Sequence, residues 1–281
     1  MKAYFEGRKE LFAGLAIEQL EQNWAEHPVF HIDFNGTNFT KGGTLEQLLE
    51  GKLATWEQEY ECATQQLDLG MRFVQIIKQA HAKYGKRAVV LIDEYDKPLL
   101  DVLDTNYTIE IDGERRRIED VNREILKGFY SVFKAADDDL QFVLLTGVTK
   151  FSQVSIFSGF NQPADISLDR RYEAICGITE EELYTYFSEA IKDLAVRYKF
   201  STTEMQEFLK RQYDGYHFSD ELTDIYNPFS LLNAFASQRV DDYWFRTGTP
   251  TYLINLLNHT NENLDELTGR YYDPSEFIDY K

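Results

Sequence analysis

The stretch Ala88-Val89-Val90-Leu91-Ile92-Asp93-Glu94 is apolar for five residues and then ends in two adjacent carboxylates. A strand with no polar alternation must be covered on both faces, which is the situation of a central strand in a parallel α/β sheet. A second run of this kind, Phe142-Val143-Leu144-Leu145, follows about fifty residues later and runs into Thr146-Gly147-Val148-Thr149. Between the two runs lie a polar insert, 106 to 119, and a helical segment, 120 to 136. Strands separated by helices predict an α/β fold with a parallel sheet.

Upstream, Val29 to Phe34 is a short β-rich run closed by Asn35-Gly36, and helices are expected at 44–60 and 65–83. Apolar Leu11, Phe12, Leu15, Ile17 and Leu20 also predict a helix over 4–24, ended by Pro28. Downstream of Gly177 the texture changes. Thr179 with Glu182 and Ser201 with Glu204 are capping boxes, which open helices at about 180–198 and 202–212. Asn227-Pro228 and Thr249-Pro250 announce two more. The expected organisation is an α/β core over 1–177 and a mostly helical domain over 178–281.

The chain of 281 residues carries 43% hydrophobic and 15% aromatic residues, so a packed core is expected and disorder is excluded. No apolar run approaches the ~20 residues of a membrane helix. The N-terminus lacks an apolar signal core, and two cysteines, Cys62 and Cys176, cannot build a disulfide framework. A cytoplasmic location is the resulting expectation. With 29 basic and 48 acidic residues the formal net charge is −19, a field that repels phosphate backbones and speaks against direct nucleic-acid binding. The remaining partner classes are a protein or a second copy of the chain.

Asp93 and Glu94 fall at the carboxyl edge of the sheet, where open α/β folds bind ligands. In a P-loop ATPase the first carboxylate of such a pair holds the Mg²⁺ shell, through water, and the second polarises the attacking water. The same two residues also suit an acidic pair that simply ends a buried strand. Thr146 and Thr149 are candidates to sense a γ-phosphate from the neighbouring strand, or to bond locally beside Gly147. Arg170, or its neighbour Arg171, could bring a positive charge to a γ-phosphate, or pair with nearby acids. The arginine row Arg115–Arg117 reads as surface, and Tyr213, Tyr216 and Phe218 as core. His27 and His31 are separated by Pro28 and stand roughly 13 Å apart along a strand, which excludes them as a zinc pair.

Taken together, several stretches resemble the AAA-ATPase-like bacterial proteins, which are related to the STAND and archaeal ATPase groups and often carry a PD-(D/E)xK nuclease-like domain at the C-terminus. The stretches are Ala3–Arg8 with Leu11–Leu15, Leu91–Leu99, Leu145–Ser152 with Ser155–Asn161, Tyr213–Phe218, Tyr226–Ser230 and Tyr243–Pro250. The resemblance implies a P-loop NTPase-like core, a helical, winged-helix-like second domain, and ATP with Mg²⁺ as cofactors. It implies an ATP-dependent regulatory switch, with Asp93 and Thr149 on the cofactor and Glu94, Thr146 and Arg170 in catalysis. The competing reading is a protein-interaction scaffold derived from an ATPase core. The family places a Gly-Lys-Ser/Thr loop just upstream of the Ala-Tyr-Phe-Glu-Gly stretch, and no such motif occurs in these 281 residues. The expectation is a fragment lacking that loop and its strand, with weak or no ATP binding, and with Leu91 and Leu144 on directly paired strands or on an exposed edge. A nuclease reading of Asp93–Lys97, whose carboxylates and lysine could bind Mg²⁺ and activate water, is disfavoured because Tyr95 stands where that site needs an acid.

Overall fold

The computed structural model describes residues 1–62, 67–103, 105–148, 156, 163–215, 217–219 and 223–244. They form two compact units, one ending at Pro163 and the next beginning at Ala164.

The first unit is α/β. Strands β1 (Val29–Asp33), β2 (Ala88–Asp93) and β5 (Leu140–Leu145) form a parallel sheet in the order β1-β2-β5. The register aligns Asp33 with Asp93, and Ile32 and Leu145 both with Ile92. One face, carrying Phe30, Ile32, Val90 and Ile92, packs under helices α1 (Thr44–Tyr60), α2 (Leu69–Tyr84) and α3 (Ile118–Tyr130). Phe73 of α2 stacks on Trp56 at 5.5 Å and on Phe129 at 5.1 Å. Fully burying such side chains is worth about 1.5–3 kcal/mol each. Local chemistry sets the helix ends: Asp68 accepts the Met71 N–H at 2.9 Å, and left-handed Gly85 closes α2. Arg72 clasps Glu57 through two hydrogen bonds of 2.7 and 2.9 Å, tying α2 to α1.

Three expectations need correction. Residues 4–24 are not one helix but three short turns, Lys2–Phe5, Lys9–Phe12 and Ile17–Leu20. Gly7 (φ +68°) and Gly14 (φ +80°) adopt left-handed conformations that end the turns, and Leu11, Leu15 and Leu20 are exposed. What this segment packs instead is aromatic and half-buried: Tyr4, Phe12 and Trp24 cluster, and Phe5 stacks on Phe142 of β5 at 5.5 Å. The second correction concerns the polar insert, which holds a β-hairpin, β3 (Thr108–Ile111) and β4 (Glu114–Arg117), turning at Asp112-Gly113 with both φ positive. Arg115 and Arg117 are exposed on β4, and Ile109 lies so close over Gly42 that a Cβ there would have no room. The third concerns β5, which is not covered like β2: its apolar residues are only half-buried, and among the described residues it pairs with β2 alone. An apolar run reports composition, whereas burial depends on neighbours.

In the second unit, helices α4 (Glu180–Tyr186), α5 (Ser188–Tyr198), α6 (Thr202–Tyr213) and α7 (Pro228–Ser237) surround a core of Leu183, Ile191, Leu194, Met205, Leu209 and Leu231. A two-residue antiparallel bridge joins β6 (Ile178–Thr179) to β7 (Ile225–Tyr226). Both capping boxes form, and the Asn227 side chain accepts the Ser230 N–H. The expected continuous helix over 180–198 breaks at Phe187, which leaves helical geometry and stacks on Phe235 at 5.6 Å. Tyr213 is core, at 4% exposure. Thr249-Pro250 lies outside the described residues. Among those described, no helix is long and apolar enough to cross a membrane.

Candidate functional site

Two adjacent parallel strands end in the same dipeptide, Ile32-Asp33 and Ile92-Asp93, so in-register pairing puts two carboxylates side by side at the carboxyl edge of the sheet. Asp33 Oδ1 accepts the Asn35 N–H at 2.7 Å, while Asp93 accepts a hydrogen bond from the Thr146 hydroxyl at the end of β5. The backbone repeats this link, since Thr146 N–H donates to Ile92 O at 2.9 Å and Tyr95 N–H to Thr146 O at 2.9 Å. The structure thus brings Asp93, Glu94 and Thr146 together.

Glu94 sits at φ +52°, a left-handed conformation that a non-glycine residue holds at a cost of about 1–2 kcal/mol. The kink turns the chain out of β2 into the helical turn Lys97–Leu100. Partial burial pushes the Glu94 carboxyl above its ordinary value, Lys97 pulls it back, and Asp93, Asp33 and Asp96 push it up again. Lys97 is itself engaged with Asp101 at 2.9 Å, and Asp101 accepts the Phe39 N–H at 3.1 Å, linking this turn to the loop after β1.

Asp33, which the sequence reading passed over, belongs here, and so does Asp96, which it weighed only within the nuclease reading of Asp93–Lys97. Asp33 could have been found from the repeated Ile-Asp strand ending. Asp96 is fully buried, with its Oδ2 accepting the Val148 N–H at 2.9 Å. No spacing rule flags it.

Thr149 lies outside the described residues. Arg170 belongs to the second unit, in the turn Arg170–Tyr172. Its neighbour Arg171 bonds Asp169 through Nε and Nη2, holding that carboxyl down at about 2, and stacks over Tyr172. The second unit also has a cavity of about 510 Å³ beside Tyr213, Asp214, Asn227, Asp242 and Trp244, distinct from the carboxylate-rich sheet edge.

Among the described residues, no group of three or more His, Cys, Asp or Glu is placed to hold a metal ion directly. Mg²⁺ in phosphate sites keeps most of its waters and takes one or two carboxylates. Exposed Asp93 at the strand edge fits that sparse donor set.

Comparison with known proteins bears on the same half of the chain. The model of the family described as predicted AAA-ATPase, AAA-ATPase-like, matches residues 1–157. An uncharacterized protein in the vnfD 5′ region of Azotobacter chroococcum mcd 1 is 39% identical over 254 residues. That match takes in 90% of this chain but 45% of the relative, so the chain spans less than half of the relative's length. No solved structure matches the chain. With more than half of its residues under the family model, the chain belongs to the predicted AAA-ATPase, or AAA-ATPase-like, family.

Proposed function

We propose that the chain is part of an ATP-binding and ATP-hydrolysing regulatory switch, with a P-loop NTPase-like core and a winged-helix-like second domain. The observation that carries this reading is the Asp93–Thr146 hydrogen bond across β2 and β5, beside a glutamate in strained geometry. Asp93 would hold hydrated Mg²⁺, which when bound neutralises phosphate charge. Glu94, with its raised proton affinity, accepts a proton from the attacking water. Thr146 donates to Asp93 until a γ-phosphate offers a stronger acceptor, and that exchange of partner moves the segment after β5. The family resemblance gives Thr149 and Arg170 supporting roles in the same chemistry.

The 281 residues contain no Gly-Lys-Ser/Thr, so the backbone cradle and lysine that grip phosphates are not encoded in them. Their own affinity for Mg·ATP is expected near ~1 mM, about 4 kcal/mol of binding free energy. The test is a titration of Mg·ATP followed through backbone amide resonances. Saturable shifts at Asp93–Tyr95 and Thr146–Val148 are expected, absent without Mg²⁺, lost in Asp93→Asn and kept in Glu94→Gln. No response at these residues in a longer chain that carries the family's Gly-Lys-Ser/Thr loop, or shifts that survive Asp93→Asn, overturns the reading, and submicromolar affinity of the 281 residues overturns the expectation of weak or no binding.

A second reading, an interaction scaffold, draws on the same bond: Thr146 and Asp93 already satisfy each other without any ligand. The half-buried strand β5 would then take a protein partner or a second copy of the chain. Light scattering that finds only monomer removes the second copy.

A further inference from the structure

We infer that Asp96 is a positioning residue that fixes the segment after β5 against the segment after β2, so that Glu94 and Thr146 keep one spacing. The inference rests on the nucleotide-site reading only for the meaning of that spacing; the mechanical coupling stands on contacts.

A carboxylate at 0% exposure is costly to bury and is kept only where its oxygens do something. Asp96 reaches across from the β2 segment, and its Oδ2 accepts the Val148 N–H at 2.9 Å. Its Oδ1 lies where the β5 segment comes closest: a Cβ on Gly147 would fall 2.7 Å from that oxygen and 2.6 Å from Tyr95 Cε1. Gly147 is the residue type that allows the approach. On the side nearer the sheet, Tyr95 N–H reaches Thr146 O and Thr146 N–H reaches Ile92 O, both at 2.9 Å. Asp96 therefore closes a ladder of contacts that begins in the β2–β5 pairing and continues past the end of both strands. Glu94 and Thr146 sit between its rungs. Asp96 also begins the next helical turn, its carbonyl accepting the Leu99 and Leu100 N–H groups at 2.9 Å, so its backbone is anchored independently of its side chain.

A bond with only local meaning would affect Val148 alone. A positioning role extends to Tyr95, whose amide is bonded to Thr146 and not to Asp96. Amide hydrogen exchange in the 281-residue chain separates the two. In Asp96→Ala, exchange at both Val148 and Tyr95 is expected to rise at least tenfold, with Val90 in the middle of β2 unchanged. Asp96→Asn, which keeps an acceptor oxygen and the shape, should return Tyr95 to within about threefold of wild type. Val148→Pro deletes the donor from the other side at a position 78% exposed, and should accelerate Tyr95 likewise, which keeps the test decisive if the alanine variant does not fold. Acceleration at Val148 without Tyr95, or equal acceleration at Val90, overturns the inference. In the Mg·ATP titration, the alanine variant should shift one segment's resonances without the other's. A wild type silent to Mg·ATP bears on the nucleotide reading alone, and the exchange result still decides the coupling.

Discussion

Strands β2 and β5 lie partner to partner, and each has five apolar residues of six, yet five of the six residues of β2 are buried whereas those of β5 are half-buried or exposed. The candidate site straddles this pair: Asp93 and Glu94 leave the better-buried strand, and Thr146 leaves the other. A platform held from both faces and an adjacent strand with less holding it form a natural fixed and responsive pair, because the free energy of local opening follows the burial that must be undone.

The largest test of that contrast is a pair of truncations at one register position. Ile92→Ala removes a core side chain at 2% exposure and should cost about 3 kcal/mol, whereas Leu145→Ala, its half-buried cross-strand partner, should cost about 1 kcal/mol. Equal losses in chemical denaturation would erase the distinction. Gly147→Ala comes next. Forcing a methyl against Tyr95 and Asp96 should cost about 2 kcal/mol and should speed exchange at Val148 more than at Val90. Phe5→Ala asks how much of β5's holding comes from the N-terminal turns; loss of the stack on Phe142 should cost about 1 kcal/mol, with exchange rising in β5 before β2.

The smallest expected effect is pH-dependent. Because the folded state raises the Glu94 carboxyl above its ordinary 4.5, it disfavours the charged form, and wild-type stability falls as pH rises from that value through the raised one. Glu94→Gln should therefore be the more stable protein at pH 7, with the advantage fading below about pH 4. A stability difference that is flat with pH would mean that Glu94 feels neither burial nor its acidic neighbours.

Much of the helical framework of the second unit is legible where side chains cap it: Thr179 with Glu182, Ser201 with Glu204, and Asn227 act within a few residues of themselves. The position of Asp93-Glu94 at the end of a buried strand was legible for the same local reason, since an aliphatic run that stops at two carboxylates marks where the strand leaves the core. What escaped depends on distant neighbours. Leu11 and Leu15 have helical spacing, but Gly7 and Gly14 break the helix and the aromatic residues supply the packing. Phe187 interrupts a capped helix because Phe235 offers a stack. Asp96 looks like any surface acid until the chain brings Val148 to it. The hairpin had a local signal, Asp112-Gly113 between strand-forming residues, that the charge of Arg115–Arg117 obscured.

Glu94's left-handed backbone also makes its identity a marker of selection. At φ +52° glycine is relieved of the Cβ clash, so Glu94→Gly should gain about 1 kcal/mol locally and drift should favour it wherever the carboxylate is idle. Across an alignment, glutamate held at this position would record lineages under selection for its acid. Glycine or asparagine there would pick out the lineages that have kept the fold without that acid.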